Sequence, residues 1–279
     1  MKQLRYLPEF NAFGIEKSEL VNGAYEVTLS PECYERLGLP VPAKNAPKVA
    51  FLFGQDGEFF TIDFNYAYAI AKTGAVIVFL DYTHCVVQMK GCHGLILPGG
   101  AFVSPKQYYQ ADDPVQNNAE STSVRAEAYR SSYHQALIMG IPILGICAGM
   151  LMIAGELGCF LSSSVSDKLG SSIAHKTTVM EAHEIEIVAG TLLCSLVKVK
   201  KLKVNSRHKE YVSAINNLIA INAVATDGCL EAFEVAEEGA NILGIQWHPE
   251  DYVVKGDERH FAIYKWLADE ARRFMTKSS

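Results

Sequence analysis

Apolar residues fall in short unbroken runs through the middle of this chain and in looser alternation after it. Residues 49–53, 75–80, 94–97 and 141–146 are such runs, each flanked by Gly or Pro, as buried strands require. Between them, residues 63–73 carry apolar positions at helical spacing and stop before Gly74. Residues 121–139 read as a long helix that Gly140 ends, and residues 148–157 as a helix leaving the fourth strand directly. Short apolar strands separated by helices predict a parallel sheet covered on both faces. After Thr177 the pattern changes. Residues 184–188, 202–205, 218–225, 230–235 and 242–247 are strand-like, with Asp227-Gly228 as a turn between two of them. That predicts an antiparallel or mixed section added to the parallel one. Residues 258–275 close the chain as an amphipathic helix with Phe261, Tyr264, Ala268, Ala271 and Met275 on one stripe.

Residues 1–46 read as an N-terminal extension, and 47–276 as the main domain. The extension holds a strand-like run at 25–29, then Ser30-Pro31-Glu32, an N-cap followed by proline at the first helical position. Pro40, Pro42 and Pro47 mark its end. There is no internal repeat or low-complexity tract.

Composition changes this picture little. A formal charge of −6 argues against a nucleic-acid partner. The one lysine-rich run, 198–203, alternates with apolar residues as an exposed strand face would. Residues 1–10 contain no apolar core of a secretory signal. Seven scattered cysteines without a C-x-x-C pair fit a reducing, cytoplasmic setting and give no zinc-like spacing. Residues 136–155 carry no charge, but Pro142 and glycines 140, 145, 149 and 155 divide them into pieces, so no membrane span is expected.

Three segments carry chemistry. In Gly145-Ile146-Cys147-Ala148-Gly149 a buried strand runs into a helix with a cysteine at the turn. This is the nucleophile-elbow pattern with sulfur for oxygen; the glycines let backbones approach closely, and the helix N-terminus favours the thiolate. Alone, the elbow outweighs the alternative that Cys147 is a small buried hydrophobe, as the other six cysteines are expected to be, without excluding it. The second segment is Trp247-His248-Pro249-Glu250, at the end of an apolar strand. In an extended segment residues i and i+2 point the same way, so Glu250 can orient the His248 ring and leave one nitrogen to take a thiol proton. The third is Pro98-Gly99-Gly100, whose backbone N–H groups lie where open α/β sheets place their sites. The amides of Gly100 and Ala148 could together hold an oxyanion.

In this order the three segments resemble the class I glutamine amidotransferase superfamily, and most of all its γ-glutamyl-γ-aminobutyrate hydrolase (peptidase C26) branch. Val204-Asn205-Ser206-Arg207-His208 and Ala225-Thr226-Asp227-Gly228-Cys229-Leu230-Glu231-Ala232 extend the resemblance, which covers about residues 47–270. It implies a flavodoxin-like three-layer α/β/α sandwich, a Cys147–His248–Glu250 triad and a γ-glutamyl thioester that water resolves. It implies no metal and no organic cofactor. Gly99, Arg207 and His208 become candidate substrate contacts, and Arg125 and Glu127 fall on a helix fronting the site. His175 and His183 are expected to be surface or structural residues. The branch carries Cys-Arg-Gly-x-Gln at the elbow; here Ala148 and Leu151 replace the Arg and the Gln. Losing those polar partners changes what the site can hold of an α-amino acid head.

Three functions follow as expectations. The first is a stand-alone hydrolase of a γ-glutamyl amide or related small amide. The second is a glutaminase subunit passing ammonia to a separate synthetase. The third is a binding protein that kept the fold without the activity. The expected partner is a small-molecule amide, with neither nucleic acid nor membrane, and a homodimer stays open.

Overall fold

Strand Lys48–Leu52 pairs in parallel with Val76–Leu80 on one side and Gly94–Leu97 on the other, the arrangement the three apolar runs predict. In the computed structural model, all residues are described except 1–14, 22–23, 30, 53, 57–58, 62–63, 101–103, 115–122, 166–168, 171 and 278–279. The expected cap at Ser30 therefore lies outside the described residues, as do Phe53, Asp63 and Ser121 at the edges of predicted elements. The chain divides into two compact units, 1–96 with 131–143 and 250–279, and 97–130 with 144–249.

In the first unit the parallel strands are almost wholly buried on both faces, which is why their sequences lack alternation. Ala24–Leu29 adds to Val76–Leu80 antiparallel, and Ile15–Val21 pairs with it as a hairpin. Both of these strands are thus part of this unit's sheet. Helix Phe64–Lys72 buries Tyr66, Ala67, Ala69, Ile70 and Ala71. Helix Glu258–Lys277 is capped by Asp257, whose Oδ1 accepts from the N–H of Arg259 at 2.9 Å. Its buried stripe includes Ile263, Tyr264, Leu267, Ala268 and Ala271, so the predicted face is right at its centre.

His260 on that helix is buried and stacks on Tyr252, with ring centroids 4.0 Å apart. Burial pushes its pKa down to about 4, although Asp257 pulls the other way. The unfolded chain takes up this proton at the ordinary histidine value near 6.5, so between the two values unfolding is coupled to proton uptake. The contribution of His260 alone is therefore a loss of about 3 kcal/mol of stability as pH drops from 7 to 4. Urea unfolding at several pH values checks this. His260→Phe should flatten the loss in that window, and an unchanged slope would assign it elsewhere.

The second unit holds the antiparallel section. Its ladder runs Ile143–Ile146, Ile242–Ile245, Leu230–Val235, Ile219–Ala225, His183–Ile187 and Lys201–Val204. The last four of these strands pair antiparallel, as does Ile242–Ile245 with Leu230–Val235. Lys201 and Lys203 are exposed while Leu202 and Val204 are buried, as the alternating lysines predict. Lys201 meets Glu184 at 2.8 Å. Strand Ile242–Ile245 is shorter than its apolar run; beyond it the N–H of Gln246 still reaches the carbonyl of Glu231 at 2.8 Å, and the N–H of His248 goes to the side chain of Asn205. Helix Val124–Met139 starts later than its sequence suggests because Ser123 caps it, accepting from the N–H of Ala126 at 3.2 Å. Helix Ala148–Glu156 has only nine residues, and no helix among the described residues is long and apolar enough to cross a membrane.

Candidate active site

Cys147 stands between strand Ile143–Ile146 and helix Ala148–Glu156 with φ 51° and ψ −106°, a conformation that L-residues adopt only under constraint. The constraint is visible. Its N–H donates to the carbonyl of Ile245 at 2.7 Å, and its own carbonyl accepts from the N–H of Leu151 at 3.0 Å. The strand ladder and the first helical turn therefore grip the residue from both sides. The flanking glycines are needed for space, as the sequence predicts. A Cβ on Gly145 would come 2.5 Å from Ile153 Cδ1, and one on Gly149 would come 2.0 Å from the carbonyl oxygen of Leu97.

A cavity of about 360 Å³ opens over this turn. Cys147, Ala148, Gly100 and His248 all line it, so four of the predicted site residues meet at one place. Arg207 and His208 line it too. Leu151 and Ala148 are part of the wall, so both departures from the family elbow bear directly on whatever the cavity holds. Glu250 is buried at the start of helix Glu250–Val253, where its Oε2 accepts from the Tyr264 hydroxyl at 3.4 Å.

His248 is held through its backbone. Asn205 Oδ1 accepts from the N–H of His248 at 2.8 Å, and Asn205 Nδ2 donates to its carbonyl at 3.1 Å. This reciprocal clamp fixes where the imidazole starts. Only the Val-Asn-Ser segment hinted at it.

The rest of the cavity wall carries charge that the sequence did not single out: Lys176, Lys209 and Glu210, with Ser104 beside them. The Glu210 carboxylate accepts from the Tyr109 hydroxyl at 2.7 Å, and burial holds its pKa above the usual carboxylate value. His175 and His183 prove to be buried rather than at the surface.

Arg125 holds the Pro98-Gly99-Gly100 turn. Its Nη2 donates to the carbonyl of Gly99 and to the Tyr129 hydroxyl, each at 2.7 Å, and that hydroxyl donates to the carbonyl of Pro98 at 2.8 Å. Gly100 sits at φ 138°, open only to glycine, with the Arg125 guanidinium 2.4 Å from where a Cβ would be. Gly99 thus meets Arg125 through its carbonyl. Removing this brace should let the Gly100 amide drift, and small misplacements of catalytic groups cost up to about a hundredfold in rate. Arg125→Ala is expected to lose ten- to a hundredfold in turnover, roughly, while unfolding at nearly the wild-type temperature. Full activity in that variant would show that the brace does not position the turn.

The sequence model of the peptidase C26 family matches residues 52–250. The chain belongs to the peptidase C26 family. Among similar proteins, protein NtpR of Enterococcus hirae is 29% identical over 161 residues, covering 56% of this chain and 66% of that protein. This peptidase C26 member thus spans slightly less than two thirds of that relative's length. A glutamine amidotransferase-like protein of Rickettsia prowazekii is 27% identical over 257 residues, covering 76% of this chain and 89% of that one. The glutaminase domain of Trypanosoma brucei CTPS, solved with bound acivicin, superposes with a TM-score of 0.53 at 15% identity, over 80% of this chain and 94% of that one. The fold is that of the class I glutamine amidotransferase-like proteins, as the order of its three motifs predicts.

Proposed function

We propose that this chain hydrolyses a γ-glutamyl amide or isopeptide, or a related small amide, through a thioester on Cys147. The observation that carries the reading is the meeting of the constrained Cys147 with His248, Gly100 and Ala148 around one cavity. The sulfur, at the N-terminus of helix Ala148–Glu156, attacks the carbonyl carbon as thiolate. The oxygen that becomes negative accepts from the amides of Gly100 and Ala148. His248, having taken the thiol proton, returns it to the departing amine as the C–N bond breaks. It then takes a proton from water, whose oxygen displaces the sulfur. The family resemblance assigns Glu250, two residues further along the chain, to orient the ring.

Lys176, Arg207 and Lys209 against Glu210 give the cavity wall an excess of positive charge, which favours a substrate bearing a carboxylate. Ala148 and Leu151 add an apolar stretch in place of polar groups. That combination fits an acyl group with a charged end and fewer polar contacts near the nucleophile than family substrates receive.

Mass spectrometry of the intact protein after incubation with a panel of γ-glutamyl amides tests the reading. An acyl adduct that maps to Cys147 names nucleophile and acyl group together. Glutamine belongs in the panel because the Rickettsia relative is named for amidotransfer, and acivicin because the Trypanosoma domain holds it. Turnover of glutamine alone, dependent on an added synthetase, would favour the glutaminase subunit instead. A panel that leaves Cys147 unmodified, with no amide turned over, would sink the hydrolase reading.

A further inference from the structure

Behind the cavity wall, the second unit gathers imidazole, thiol and carboxylate groups that the hydrolase chemistry does not use. His175, His208, Cys229 and Glu231 come from three stretches of chain, and each is at most 5% exposed. Their donor atoms all lie within 4.8 Å of one another. His175 Nδ1 and His208 Nε2 are each 3.6 Å from Glu231 Oε1. That is too long for a hydrogen bond. It is close to the edge, about 3.3 Å, of a tetrahedron whose centre binds nitrogen and oxygen at about 2.0 Å.

The outer contacts decide what those nitrogens carry. His175 Nε2 lies 2.8 Å from Asp227 Oδ2, and His208 Nδ1 lies 2.9 Å from the carbonyl of Glu210. Carboxylate and carbonyl oxygens only accept, so the ring protons sit on those two nitrogens. In the neutral rings the opposite nitrogens are lone pairs, and both point at a carboxylate. His175 Nδ1, His208 Nε2 and Glu231 Oε2 are buried and meet no hydrogen-bond donor. Lone pairs and anionic oxygens converging in a buried space repel one another and are costly to leave so; against burial, Glu231 and Asp227 draw a proton onto His175, which relieves only part of this. A cation at their centre removes the conflict. An imidazole whose far N–H is held by a carboxylate or carbonyl is also the usual outer shell of a metal-bound histidine. His183 Nε2, 3.1 Å from Glu231 Oε1, supplies a further outer bond to the carboxylate.

We infer that His175 Nδ1, His208 Nε2, Cys229 Sγ and a Glu231 oxygen bind a zinc ion in a closed site of four protein ligands. Two imidazoles, a thiolate and one carboxylate suit a borderline, tetrahedral ion such as Zn²⁺; calcium and magnesium call for oxygen shells. With all four positions filled by protein, the ion is structural. On binding, the Cys229 thiol loses its proton to solvent and the sulfur coordinates as thiolate. A second cavity, of about 510 Å³ and lined by Ser163, His175 and His208, borders the cluster. The site anchors His208 at the end of the segment whose Asn205 holds His248 and whose Arg207 lines the first cavity. It stands independently of which amide is cleaved, and it departs from the family resemblance, which implies no metal.

The test is metal analysis of the full chain purified without chelators, followed by stripping and titration with Co²⁺. About one zinc per chain is expected, and the Co²⁺ form should show tetrahedral visible bands with a near-ultraviolet thiolate charge-transfer band. Cys147→Ser should keep both signals. Cys229→Ser should abolish the charge-transfer band and weaken binding at least about tenfold. A folded wild-type chain that takes up neither zinc nor cobalt in stoichiometric amount would overturn the proposal. So would loss of the bound metal in Cys147→Ser, which would place it at the nucleophile. If Cys229→Ser fails to fold, the wild-type stoichiometry and the Cys147→Ser result still decide.

Discussion

Cys147→Ala is expected to abolish turnover, by on the order of 10⁴-fold or more, while the protein folds as before. Both halves follow from the geometry of the turn. At φ 51° the strain arises between the β-carbon and the backbone, and alanine keeps that β-carbon. The grip on Cys147 is through main-chain hydrogen bonds to Ile245 and Leu151, which no side-chain change removes. Only the sulfur is lost, and the sulfur is the atom proposed to form the thioester. What remains is whatever rate the oxyanion donors lend to direct attack by water. Circular dichroism and a thermal melt check the fold, and product formation checks the chemistry. His248→Ala should be similarly damaging, and the double variant little worse than either, because the proposed nucleophile and base would act as a unit. Wild-type rates in Cys147→Ala would remove this cysteine from the mechanism.

The parts of the site that could be read from sequence are those in which spacing along the chain equals proximity in space. The elbow is one such case: a strand, a single residue and a helix follow directly, so the glycine–cysteine–glycine pattern already specifies a tight turn. The central strands were legible for a similar reason, since Lys48–Leu52 and Val76–Leu80 are buried on both faces and show unbroken apolar runs. A boundary shifted where a side chain intervened, as Ser123 does at a helix start. Contacts over long sequence separations left no local mark. Arg125 reaches back to Gly99, Tyr109 pairs with Glu210, and His175 meets Asp227, and nothing within a short window announces any of these. The four proposed metal ligands illustrate the limit. Only Cys229 and Glu231 are near one another in sequence, so no ligand spacing was there to be found.

Gly149→Ala is expected to cost more than about 4 kcal/mol of stability, enough that little folded protein is recovered. A methyl group there would lie 2.0 Å from the carbonyl oxygen of Leu97 and 2.7 Å from its carbonyl carbon. Both atoms are backbone, at the end of a strand, and cannot rotate aside as a side chain would. Either the helix must lift off Leu97 or the strand end must move, and each breaks close packing. Gly145→Ala should be milder, because the nearest atom is the tip of the Ile153 side chain at 2.5 Å, although the Gly149 backbone follows at 2.9 Å. Gly256→Ala gives the scale for conformational strain alone: φ is +84° with nothing within 4 Å, so about 1–2 kcal/mol is expected. Urea unfolding of the three variants orders them. Should Gly149→Ala prove as stable as Gly256→Ala, the close approach of helix and strand at the elbow would be wrong. Activity in any folded Gly149→Ala fraction carries the argument one step further. Leu97 leads directly into Pro98-Gly99-Gly100, so a displaced strand end would move one proposed oxyanion donor away from the other. The glycine beside Cys147 thus lets the turn close and, on the proposed mechanism, lets the two amides face one oxygen.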